Sequence, residues 1–157
     1  MQRDDAFRGQ ITDLLSWKSA HVEFERVVKN VPPEYRGMRP SGAPYSLWEL
    51  LEHMRLAQRD ILEFCRSAKY ASPRWPEDFW PPDPAPAKRE EWQRSIDGFH
   101  RDRRAMVALI GEQDLMSKVP GGEDQTFLRE ALLIADHNAY HIGQMVLVRR
   151  LLGIWPP

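Results

Sequence analysis

The chain is 157 residues long, 42% hydrophobic and 29% charged, which bounds it to one ordinary globular domain over residues 1–157 and excludes a disordered or multidomain chain. Its 22 lysines and arginines stand against 23 aspartates and glutamates, so there is no basic field for nucleic acid or for anionic membranes, and the expected partner is a small molecule. MQRDDAFRGQ carries no apolar leader, no apolar run approaches the roughly 18 residues of a membrane span, and Cys65 is the single cysteine. The expectation is a cytoplasmic protein with no intrachain disulfide and no cysteine-rich zinc site.

Four segments carry the helical period and none of comparable length alternates as a half-buried strand does, which predicts an all-α domain. The first helix is expected from about Asp4 to Asn30, with Phe7, Ile11, Leu14, Leu15, Val22 and Val28 as its apolar stripe, ended by Val31-Pro32-Pro33. The second opens on a strong signal: Ser46 and Glu49 match the S-x-x-E capping box, and Tyr45 and Leu50 stand at the positions of a hydrophobic staple. Leu47, Leu50, Leu51, Met54, Ile61 and Cys65 form its buried face. Trp48 lies on the opposite side from Leu50, where a subunit contact would use it. YASPRWPEDFWPPDPAP then breaks the period with repeated prolines. This tether carries Trp75, Phe79 and Trp80, too apolar for a solvated spacer; they either cap one end of the core or roof a pocket.

Trp92, Ile96, Phe99, Met106 and Ile110 trace a third helix that should close near Gly111, and VPGGEDQ reads as a turn. Thr126 is placed to cap a fourth helix running through Leu128, Leu132, Ile134, Val146 and Leu147 to about Leu152, with Gly153 and Pro156 stopping it. Four helices of this length suit a four-helix bundle. The connection from about Ala68 to Ala87 is long enough to travel the length of a helix, which permits a parallel pair.

The chemistry concentrates in DHNAYHIGQM, where His137 and His141 lie four apart within a buried-looking helix. On a helix such residues are roughly 5–6 Å apart at Cβ, so two ring nitrogens can aim at one point. A zinc-type ion takes each imidazole at about 2.0–2.1 Å and needs further ligands, for which His53, at the border of the second helix's apolar face, is the candidate. Neighbours Ala139, Ile142 and Met145 offer no side-chain acceptor, so leaving these imidazoles buried and unpartnered would cost about 1–3 kcal/mol per group. A zincin would carry Glu directly after the first histidine, where this chain has Asn138. A di-iron bundle would carry two Glu-x-x-His pairs, but Glu49 is followed three later by Glu52 and Glu130 by Leu133. A mononuclear site remains.

SLWELLEHMRLAQRDILEF, WPEDFWPP and LREALLIADHNAYHIGQMVLVRRLLGIWPP together resemble the four-helix metal-binding DinB-like proteins, also called the DinB/YfiT-like superfamily, over nearly the whole chain. The resemblance implies an up-down-down-up bundle, frequent dimerisation, here as a homodimer, and a divalent metal such as zinc or nickel held by one histidine of the second helix and an H-x-x-x-H pair of the fourth. His53, His137 and His141 match those positions. It also implies, for some relatives, transfer of a low-molecular-weight thiol to an electrophile or thiol-assisted isomerisation of a small acid. Three neutral imidazoles leave the cation's charge uncompensated, which favours deprotonation of a bound thiol or water. Three readings therefore stand: a metal-dependent transferase with a small-thiol cosubstrate, a metal-dependent hydrolase, and a non-catalytic stress-associated module stapled by metal.

Pocket candidates are His21, seven after Leu14 on the first helix, Gln144, three after His141, and Trp80. His21 faces the metal or is a hydrogen-bonded core-edge residue; Gln144 orients a substrate or bridges helices. Glu52, Glu130 and Asp136 are candidate acceptors for the ligands' second N–H, with Glu52 expected to face solvent. Arg101, Arg103 and Arg104 with Asp102 form a charged cluster read as a solvated face or an anchor for an anionic substrate. His100 and Cys65 are expected to be structural.

Overall fold

Apolar residues spaced by threes and fours settle onto five helices in the computed structural model, which describes residues 2–16 and 20–156. They are α1 (Gln2–Ser16), α2 (Phe24–Val28), α3 (Leu47–Arg66), α4 (Arg89–Glu112) and α5 (Phe127–Leu151). Among the described residues there is no strand, only an isolated bridge between Lys118 and Thr126 closing the VPGGEDQ turn. None of these helices is long and apolar enough to cross a membrane.

Two apolar clusters fix the helix directions. One joins Leu47, Leu50, Leu51 and Met54 from the start of α3, Trp92, Ile96 and Phe99 from the start of α4, and Ile142, Met145 and Val148 from the end of α5. The other joins Leu62 and Cys65, Met106 and Ile110, and Phe127, Ala131 and Ile134, which are the opposite ends of the same helices, with Ile11 and Leu15 of α1. The helices α3 and α4 therefore run in the same direction and α5 runs against both. A parallel pair cannot be joined by a short turn: the 24 residues of α4 span roughly 36 Å, and the chain between Arg66 and Arg89 must return that distance.

Local signals place the helix ends. Ser46 Oγ accepts from the Glu49 amide at 3.1 Å while Glu49 Oε2 accepts from the Ser46 amide at 2.8 Å, so the capping box is complete. Ser46 Oγ also donates to the Pro84 carbonyl at 2.5 Å, tying the long connection back to the start of α3. Thr126 caps α5 as expected, accepting from the Arg129 amide, and Gly153 follows the helix with φ of +71°, the left-handed turn that glycine adopts freely. Between the two clusters, Gln58 donates to the Phe99 carbonyl at 2.8 Å and accepts from Asn138 Nδ2 at 3.0 Å, a buried polar link across α4, α3 and α5.

Three expectations are corrected. The first helix is not one rod: α1 ends at Ser16 and helix resumes only at Phe24, while residues 17–19 of the expected span lie outside the described residues. Phe7 and Leu14 are exposed, so the apolar stripe was wider than the face that packs, and redirecting the chain lets Phe24, Val27 and Val28 enter the cluster at the start of α4. Phe24 stacks there on Phe99, with centroids 4.1 Å apart. The short α2 is held by the buried Arg149, whose guanidinium donates to the carbonyls of Val27 at 2.7 Å, Lys29 at 3.0 Å and Ile154 at 2.9 Å. Second, α4 does close near Gly111, at Glu112, but Gly111 lies inside the helix and the stop at Gln113 is extended, without the glycine turn. Third, Trp48 is only 7% exposed and belongs to the core, because the side of α3 away from Leu50 is covered as well. Its amide donates to the Arg36 carbonyl at 2.8 Å. It is not a free subunit contact.

Cys65 is structural as expected: it is buried, and burial with the nearby Glu130 charge pushes its thiol up to about 12. The arginine cluster of α4 is largely engaged, Arg103 with Glu25 at 2.8 Å and Arg101 with Asp102 at 3.0 Å. His100 lies edge-on to Phe24 beside Glu25.

Candidate metal centre

The spacing of four on α5 stacks His137 and His141 on one face, and the antiparallel approach of α3 brings His53 opposite them. The three side chains each offer a ligand atom within 4.8 Å of the others. His53 Nε2 and His137 Nε2 are 3.1 Å apart. Ring centroids lie 4.5 Å apart for His137 and His141 and 4.7 Å for His53 and His141. Two nitrogens bound at about 2.0–2.1 Å to one tetrahedral ion sit roughly 3.3–3.4 Å apart, so this set needs only small ring adjustments to share a cation.

The remote nitrogens explain the ring orientations. His53 Nδ1 lies 2.8 Å from the Phe79 carbonyl, and His141 Nδ1 lies 2.7 Å from Gln144 Oε1. Both oxygens only accept, so each Nδ1 carries the hydrogen and each Nε2 keeps its lone pair for the shared space. Gln144 is half-buried, on the same helix one turn beyond His141; it bonds the His141 ring rather than bridging helices. The Phe79 carbonyl comes from the short turn Glu77–Phe79 of the long connection. No feature of the sequence marks which way a loop carbonyl points, so this partner was not legible.

Electrostatics keep the rings neutral. Burial, followed by the neighbouring histidines, lowers His137 and His141 to about 4. Burial also lowers His53, partly opposed by its bond to Phe79. At neutral pH all three present lone pairs without proton competition, which is the state a cation requires.

Trp80 stacks flat on His53, centroids 3.9 Å apart and planes 2° apart, and Tyr45 stacks on the far face of Trp80 at 4.2 Å. Of the aromatics of the long connection, Trp80 covers His53 and also packs on the core, and Phe79 is buried, so both roles open to them are represented. Tyr45, one residue before the capping serine and at the staple position, also closes this stack. Tyr140, 66% exposed, lies edge-on to His141 at 5.0 Å. A cavity of about 300 Å³ opens beside His137, and a larger groove of about 620 Å³, lined by both apolar and charged side chains, lies along Trp80 between α3 and α4.

His21 is not brought to the three histidines. It is exposed, its Nδ1 donates to the Val22 carbonyl at 3.0 Å, and it borders a separate hollow with Leu14 and Leu132. Glu52 faces α4 rather than solvent, paired with Arg55 and accepting from Ser95 at 2.7 Å. Glu130 is buried against Arg129, and Asp136 is exposed. Among the described residues no carboxylate bonds to any of the three rings.

An all-α bundle with three convergent histidines on two antiparallel helices defines a class of candidate metal-binding domain. A family model described as the DinB superfamily matches residues 17–145, and the chain belongs to that superfamily. No curated protein and no solved structure matches it.

Proposed function

We propose that the protein binds one divalent cation, zinc or nickel, through Nε2 of His53, His137 and His141, and acts as a transferase that delivers a low-molecular-weight thiol to an electrophile. The observation that carries this reading is the convergence of three neutral, oriented imidazoles, two of them with the hydrogen fixed on the remote nitrogen. When bound, the cation supplies positive charge that eases loss of a proton from a coordinating thiol. The protein's own part is to hold lone pairs in register through Gln144 and the Phe79 carbonyl, and to shield one face of His53 from water with Trp80. Thiol chemistry is favoured over hydrolysis because a thiol, at about 8.5, has far less need of a general base than water.

Elemental analysis of purified protein tests the centre: about one metal per chain in the parent, and less than roughly a tenth of that in His137→Ala and His53→Ala. Equal metal in parent and variants refutes it. Consumption of cysteamine with 1-chloro-2,4-dinitrobenzene, faster with metal-loaded than with metal-stripped protein, tests the transferase step; equal rates refute that step alone.

A further inference from the structure

The cavity beside His137 has a composition that selects what enters it. Ile61, Pro73, Trp75, Phe79 and Leu133 supply apolar walls, and its volume is about 300 Å³, roughly twice the 150 Å³ of a pocket that accepts benzene. It begins at a ligand ring and extends along α3, where Ala57 and Ile61 follow His53 by one and two helical turns, roughly 6 and 12 Å along the axis. Phe79 links the two regions: its carbonyl orients His53 and the same residue walls the cavity.

Two further observations bear on the occupant. Trp75 at 66% and Leu133 at 36% exposure are large apolar side chains left partly in water at this cavity, so a ligand there covers surface that the fold leaves open. Asp60 is the one carboxylate in the lining, and its Oδ1 is buried without a hydrogen-bond partner. The carboxylate also meets the Tyr70 hydroxyl, a neutral partner that leaves its negative charge in place, and in an apolar wall that charge repels a second one through a medium that screens poorly.

We infer that this cavity takes the uncharged apolar portion of a substrate, an aryl or short branched alkyl group, and rejects the anionic counterpart of the same shape. Resting on the proposed function, this assigns the cavity to the electrophile, whose apolar body lies between Trp75 and Leu133 with its reacting end toward His137. A thiol rich in carboxylates has no place in it.

The test separates this inference from the metal centre by using metal-free protein. Binding of 4-fluorobenzyl alcohol and of 4-fluorobenzoate, two probes of nearly equal shape, is followed by fluorine NMR titration. The alcohol is expected to bind with Kd near about 1 mM, as fits nine heavy atoms, and the benzoate roughly tenfold or more weaker. Leu133→Trp fills the cavity from a partly exposed position and should weaken the alcohol by roughly tenfold. Asp60→Asn should raise benzoate affinity towards that of the alcohol. Benzoate binding as tightly as the alcohol in the parent, no binding of either probe, or indifference to Leu133→Trp each overturns the inference. Metal content measured on the same preparations shows separately whether the histidine centre stands, since a filled cavity leaves the three rings intact.

Discussion

Gln144 offers the sharpest check on the proposed centre, because it touches the His141 ring without being one of the three proposed ligands. Its Oε1 accepts from His141 Nδ1 at 2.7 Å from one turn along the same helix. Gln144→Leu removes this acceptor while preserving helix propensity and size. Acceptors of this kind are worth about 10–100-fold in metal affinity, which is roughly 1.4–2.7 kcal/mol. Because His141 is 6% exposed, water is poorly placed to replace the lost bond, and the effect should fall toward the upper part of that range. Gln144→Glu places a charged acceptor at the same point, and charge-assisted bonds are about twice as strong as neutral ones, so zinc affinity at pH 7.5 should rise above the parent. The assay is competition for zinc with a chromophoric chelator. Leu, Gln and Glu variants binding within about twofold of one another would refute the claim that the remote hydrogen bond orients His141 for coordination.

Further outcomes follow from the same geometry. His137 and His141 are held at about 4 in the folded state, against roughly 6.5 unfolded, so between these values the unfolded chain binds more protons. Stability of metal-free protein is therefore fully present above about pH 6.5 and declines as pH falls toward 4, by a few kcal/mol for the pair, measurable by urea unfolding across that range; a flat profile contradicts the neutral-ring assignment. Gln58→Leu removes the buried bonds from Gln58 to the Phe99 carbonyl and from Asn138 to Gln58 and should lower stability by about 1 kcal/mol with metal stoichiometry unchanged. Arg149→Met should cost a similar or larger amount and release α2, seen as faster hydrogen exchange at Val27 and Val28; unchanged exchange would show that α2 is held by packing alone.

The parts of this molecule that could be read from its sequence are those with local causes. The Ser46 capping box needs only residues three apart, and it formed as read. The H-x-x-x-H pair needs only helical geometry, and a third histidine on another helix was a single inference about faces. The break between α1 and α2 had only a faint mark: no proline or glycine interrupts residues 17–23, although Lys18 and Ser19 leave the stripe empty between Leu15 and Val22. It is decided by tertiary competition, in which Phe24 gains a stack on Phe99 that a straight helix would forgo. Trp48 was misread because a helical wheel assumes one buried side, whereas the start of α3 is covered on more than one. The Phe79 carbonyl and the Tyr45–Trp80–His53 stack depend on how a proline-rich tether folds back, which no residue spacing encodes.

That fold-back ties maturation of the centre to a piece of chain with little regular structure. His53 acquires its orientation from an acceptor 26 residues further along, delivered only when the tether has closed over the bundle. A hybrid retaining every helix of this domain but borrowing a shorter crossing from another protein would still assemble its apolar interior, yet one imidazole of the three would be left to swivel. Any redesign around the three histidines should therefore treat the tether as an integral wall of the candidate site and leave its docked residues untouched.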